Sequence, residues 1–309
     1  MIYDFSRVLA IVVLSVSFAS SVRAQNKLNV VTTLPDLESI VYSVGGDLVE
    51  VTSIATGYQN TNFVDPKPSF IMRLTRADMF VTVGLDLETG WVPSLLNSAR
   101  NPDITPGSEG YVDTSINIPL LDVPSSVSRE QGDIHVFGNP HYWLDPENGK
   151  IMAETIRDAL VRLQPESATL FDSNLESFLT QIDIKIEEWN AEMKPYKGRR
   201  LIAYHNQWPY LEAAFGVIAI DFLEPKPGIP PTPSQLAKII SLMKQESLST
   251  IIIAPYFRTD SADLVARNVS GNVVILAASV GAFSEIKTYF DLFDYNIARL
   301  KEAFDSPGS

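Results

Sequence analysis

Two histidines set in unusual local frames are the residues of this chain best suited to chemistry. His141 stands in Gly138-Asn139-Pro140-His141-Tyr142-Trp143-Leu144-Asp145-Pro146, and His205 in Tyr204-His205-Asn206-Gln207-Trp208-Pro209-Tyr210. The chain has 3 histidines, and the remaining one, His135, lies six residues before His141. A neutral imidazole binds a transition metal through one ring nitrogen; the plain alternative is a histidine that hydrogen-bonds a loop in place. Each framed histidine ends an apolar or proline-bounded run where a strand or loop gives way to a helix. α/β proteins place ligand-contacting groups at such points. Matching positions in two successive α/β segments favour a shared ligand over two separate structural roles.

The elements that must carry these histidines follow from the hydrophobic pattern. Leu28 to Thr33, Leu48 to Ile54 and Met79 to Val83 read as strands, separated by helices opening at Leu34-Pro35-Asp36 and after Ser69, and a further helix is expected from Asp86 to Asn97. Strands alternating with helices predict a parallel sheet covered on both faces. Residues 101–137 are polar and rich in Pro, Ser and Gly, and read as an irregular segment with one short strand and a mobile stretch from Pro124 to Gly132. A helix is expected from Lys150 to Leu163. Another, from Glu166 to Met193, has apolar residues Leu170, Phe171, Leu175, Phe178, Ile182, Ile186 and Trp189 at three- and four-residue steps. At 1.5 Å per residue it would span roughly 40 Å, enough to bridge two lobes. Strands at Arg200–Tyr204, Val217–Phe222, Ile251–Ile253 and Val273–Leu276 then repeat the grammar of the first half, and the last helix is expected at Phe290–Phe304. The predicted architecture is therefore α/β: two Rossmann-like lobes with parallel sheets, joined by one long linking helix. The boundaries are 25–164, 165–196 and 197–309.

Residues 1–24 read as a cleavable signal peptide. Arg7 precedes the apolar run Val8–Ala19, and Val22-Arg23-Ala24 has the small-residue pattern of a cleavage site. The run is too short to span a membrane as a mature helix. The chain has 0 cysteines, so disulfides, thiolate metal sites and lipid attachment through cysteine are not expected. The formal net charge of −13 gives no basic face for a polyanion, so nucleic acid is not an expected partner. Catalytic signatures are also missing: the sequence holds no Gly-x-Ser-x-Gly elbow, no His-Glu-x-x-His and no phosphate-binding glycine loop. Asp133, His135 and Ser128 could be written as a triad, but all three lie in one polar loop without a supporting frame. An enzyme is not expected.

The two histidine frames resemble the periplasmic solute-binding proteins of zinc and manganese ABC transporters. Phe222-Leu223-Glu224-Pro225-Lys226-Pro227-Gly228-Ile229, Pro66-Lys67-Pro68-Ser69 and Thr288-Tyr289-Phe290-Asp291-Leu292-Phe293-Asp294-Tyr295 fit the same pattern, in the same order. The resemblance implies two α/β lobes joined by a long helix. It also implies a divalent metal held between the lobes as transported ligand, zinc foremost and manganese as the alternative. A permease in the inner membrane would receive it from a periplasmic, monomeric carrier. Carried over residue by residue, the implied ligands are Asn62, His141 and His205. Asn62 occupies a position where the family normally has histidine, four residues before the Pro of Pro-x-Pro-Ser. Where relatives place an acidic ligand, this chain has Ala254-Pro255-Tyr256-Phe257, or Ala277-Ala278-Ser279-Val280-Gly281. Two neutral imidazoles leave a dication's charge without an anion to offset its desolvation. Asp65, Glu224, Asp260 and His135 are the candidates to fill that gap. The rival expectation is a divergent member that takes another metal or metal complex, or acts as a partner protein without tight metal binding.

Overall fold

The computed structural model describes residues 27–126, 135–226 and 228–306. The expected signal peptide, the greater part of the stretch expected to be mobile, and Ser128 and Asp133 lie outside the described residues.

The first lobe is built from β1 (Leu28–Thr32), α1 (Pro35–Gly45), β2 (Val49–Ser53), α2 (Pro68–Thr75), β3 (Met79–Thr82), α3 (Val92–Ala99) and β4 (Tyr111–Asp113). All pairings are parallel, in the order β2-β1-β3-β4. After α4 (Pro146–Leu163) comes α5 (Ala168–Met193), the long linking helix, with a 3-10 turn at each end (Pro165–Ser167 and Lys194–Tyr196). The second lobe contains β5 (Arg200–Ala203), α6 (Pro209–Phe215), β6 (Ile218–Phe222), α7 (Pro233–Gln245), β7 (Thr250–Ile253), α8 (Asp260–Val269), β8 (Asn272–Ile275) and α9 (Tyr289–Asp305). Its sheet is again parallel, in the equivalent order β6-β5-β7-β8. Proline stands in the first turn of α1, α2, α3, α4, α6 and α7. A missing N–H costs nothing there, so each proline marks where a loop leaving a strand turns into a helix.

One large apolar cluster runs through both lobes, beside a smaller one within each. Leu37 and Val41 of α1, Ile156 of α4, Phe178 and Ile182 of α5, and Phe293 of α9 belong to a single buried cluster. Polar ties reinforce it. Asp36, in the first turn of α1, accepts from Ser279 Oγ and from Val280 N in the other lobe. Trp143 Nε1 donates to Ala278 O at 2.9 Å, and Tyr289 Oη donates to Trp143 O at 2.6 Å. Gly57 faces the same loop so closely that a Cβ there would sit 2.0 Å from Val280 O, which any side chain would clash with. Burial lifts the Asp36 carboxyl to a pKa of about 6, against the hydrogen bonds that stabilise its ionised form.

The helix expected to begin at Asp86 starts only at Val92. Gly84, Leu85 and Asp86 all have positive φ, and the buried Glu88 carboxylate accepts from Val83 N and Gly84 N. That acid satisfies the backbone of a tight loop, so the chain spends six residues turning before the helix can start. The short strand expected within 101–137 is β4.

Candidate metal centre

His205 lies just past the C-terminal end of β5, and Pro209 starts α6 four residues later. Glu224 lies just past β6 and is positioned by an irregularity. β6 pairs Leu201 with Ala219 but Ile202 with Asp221, so one residue of β6 is skipped. Such a bulge shifts the register beyond it by one and exchanges the faces that the following side chains occupy. Glu224 N then donates to Tyr204 O at 2.9 Å, level with His205. The Glu224 carboxylate, itself buried, accepts from His205 Nδ1 at 2.7 Å. A carboxylate here acts only as acceptor, so Nδ1 carries a proton and Nε2 is the nitrogen left for a metal.

His141 is positioned differently from the expectation of two equivalent strand ends. It lies in the long connection between β4 and α4, immediately before the 3-10 turn Tyr142–Leu144. The motif around it is a set of anchors. Asn139 Oδ1 accepts from both His141 N (3.0 Å) and His141 Nδ1 (2.9 Å), while Asn139 Nδ2 donates to Asn206 O at 3.0 Å. One amide thus holds the His141 ring and ties its loop to the neighbour of His205. Tyr142 Oη donates to Val83 O just past β3, Trp143 reaches the second lobe, and Asp145 caps α4 by accepting from Glu147 N. In the second frame, Tyr210 Oη accepts from Leu121 N and Gln207 Oε1 accepts from Tyr256 Oη. Nearly every polar or aromatic residue of the two motifs fixes where the histidines stand.

The two rings lie 6.0 Å apart between centroids, at 77°. The His141 imidazole is 2% exposed. Burial pushes its pKa well below the usual imidazole range, with the His205 and His135 rings adding in the same direction. It is therefore neutral at neutral pH, with Nδ1–H given to Asn139 and the Nε2 lone pair available. A cavity of about 180 Å³ is lined by Asn60, Asn62 and Phe63 from the first lobe, by His135, and by His205, Glu224, Gly228 and Phe257, with the buried His141 ring behind His205 and His135 rather than in the lining. Asn62 is thus at the cavity, with its Nδ2 donating to Asn60 Oδ1 at 3.0 Å. Among the described residues, no three histidine or acidic side chains stand close enough together to hold an ion without adjustment.

The other candidates separate cleanly. Asp65 is exposed and does not line the cavity, and Asp260 is paired with Arg258 Nε at 2.8 Å. Ala254, Ala277 and Ala278 are buried and apolar, so the second lobe offers no acid at either position. Asn139 is not among the residues expected at the site, and its signal is local: an Asn two residues before a candidate ligand is the spacing at which Asx side chains bond the backbone ahead of them.

Two parallel-sheet lobes on a common long helix, with a pair of oriented imidazoles and a cavity lined from both lobes, define a binding protein of the interlobe-cleft class. The chain belongs to the family described as the periplasmic zinc-uptake complex component A, ZnuA, whose model matches residues 30–303. Among relatives, the manganese-binding lipoprotein MntA of Halalkalibacterium halodurans is 24% identical, over 87% of this chain and 86% of the relative. The manganese ABC transporter substrate-binding lipoprotein PsaA of Streptococcus pneumoniae is 23% identical, over 93% and 92%. A crystal structure of ZnuA superposes with a TM-score of 0.77 at 22% identity, covering 90% of this chain and 99% of that one, which establishes the shared fold.

Proposed function

We propose that this protein is an exported solute-binding protein that captures a divalent transition metal between its lobes and hands it to an ABC permease. It acts as a carrier rather than a catalyst. The observation that carries the reading is the pair His141 and His205: from different parts of the chain, 6.0 Å apart, each with Nδ1 committed to an oxygen acceptor. Orienting an imidazole through its other nitrogen is the usual support for a metal ligand, and it raises the basicity of the free nitrogen. The family's zinc-uptake description and the manganese-binding relatives point to the same ligand class. Between the two metals, nitrogen donors favour zinc, whereas manganese prefers oxygen-rich shells. The assignment takes His141, His205 and Asn62 as metal contacts, residues 1–24 as the export signal, 165–196 as the linker between lobes 25–164 and 197–309, and a monomer in the periplasm.

Metal analysis of protein purified from its native compartment without chelators or affinity-tag metal tests the assignment. Close to one zinc or manganese per chain is expected. Metal-free protein that takes up neither ion on dialysis would overturn it.

A further inference from the structure

The site as carried over from the family lacks one histidine, at Asn62, yet the cavity is lined by an imidazole outside the family's set. His135 lines the cavity with Asn62, His205 and Glu224. Its ring meets the His141 ring edge-on, 6.2 Å away at 83°. The backbone places it there: Gly138 N donates back to His135 O, Gly138 has a φ of +121°, and Asn139 N donates to Leu121 O at 2.8 Å. The turn folds His135 over the histidine six residues later. The other two histidines of the chain thus each have their ring within 6.2 Å of the His141 ring, and a buried carboxylate is bonded to His205.

We propose that His135 replaces the histidine missing at position 62, so that His135, His141 and His205 form a three-imidazole shell for the transported metal beside the Glu224 carboxylate. The inference rests on the proposed function. With metal–nitrogen bonds of about 2.0–2.1 Å, two imidazoles on one tetrahedral ion have ring centroids roughly 5 Å apart. The observed 6.0 and 6.2 Å lie about 1 Å beyond that, within reach of small ring movements. Three imidazoles also give a nitrogen-rich donor set, which selects zinc over manganese.

The test is competition for zinc between a chromophoric chelator and the wild type, His135→Ala, His205→Ala, and His135→Ala combined with Asn62→His. Cobalt(II) spectra of each report the coordination number. The expected result is at least a tenfold loss of zinc affinity in His135→Ala, with a changed cobalt spectrum. Asn62→His should restore affinity in that background, because it returns an imidazole to the family's position. Loss in His205→Ala with no change in His135→Ala would overturn this inference and leave the proposed function standing. A loss in His135→Ala that Asn62→His does not restore, with an unchanged cobalt spectrum, would assign His135 to loop packing and overturn it as well. Absence of zinc binding by the wild type, or indifference to His205→Ala, would overturn both.

Discussion

The two lobes share one sheet order but bury their acids for different purposes. The first lobe encloses Asp36 and Glu88, and both are satisfied by hydroxyls and backbone N–H groups, with no basic partner among the described residues. Burial lifts their pKa values to about 6 and about 7. The second lobe encloses Glu224, which meets the His205 imidazole at the edge of the cavity. The histidines mirror the contrast: His141 is held by the neutral amide of Asn139 and His205 by a carboxylate. In the first lobe buried polar groups set architecture, and His141 is oriented without added charge. In the second a buried carboxylate stands one hydrogen bond behind His205, where at the proposed site it would offset the charge of a bound dication. With alanine at 254, 277 and 278, the proposed site would keep its negative charge behind the coordinating atoms instead of among them.

The largest effect expected from this contrast is on stability. Asp36 titrates at 3.8 when unfolded and at about 6 when folded, so between those values the native state binds the extra proton. Stability contributed by this group is therefore full below about pH 4 and declines as pH rises through the window. Asp36→Asn keeps an acceptor for Val280 N and removes the titration. In urea unfolding of the metal-free protein, the variant should gain on the wild type by on the order of 3 kcal/mol between about pH 4 and pH 7. A difference that does not change with pH would mean that Asp36 is not a desolvated acid, and this half of the comparison would fall.

The next effect separates charge from orientation at the site. Glu224→Gln retains an acceptor for His205 Nδ1 but loses the anion, and should weaken zinc binding by about 10–100-fold. Asn139→Ala removes only a neutral orienting group and its bond to Asn206, and should fall at the lower end of that range, about tenfold. Calorimetric titration of both variants measures the ranking. A greater loss from Asn139→Ala would reverse the roles assigned to the two lobes.

How much was legible in the sequence follows the same division. The alternation of strands and helices, the long helix and the repeated sheet grammar depend on local periodicity, and they emerge close to their observed limits. The framed histidines stood out because their neighbours are rare types in fixed order, and the structure shows what those neighbours do: Asn139, Tyr142, Trp143, Tyr210 and Gln207 are all anchors. What was not legible depends on contacts distant in sequence or on backbone irregularities. Glu224 was only one acid among several, because its pairing across nineteen residues requires the β6 bulge. The late start of α3 depends on Glu88 reaching back to Val83 and Gly84. His135 lacked a frame of its own, and only the turn at Gly138 brings it to His141.

The central claim is that His141 and His205 coordinate one ion together. Zinc titration against a competing chelator, performed on the wild type, His141→Ala and His205→Ala, tests it most directly. The account predicts one zinc per chain and a loss of at least about 100-fold in each variant, equivalent to roughly 2.7 kcal/mol. Equal zinc affinity in all three proteins, with the fold intact by circular dichroism, would contradict it.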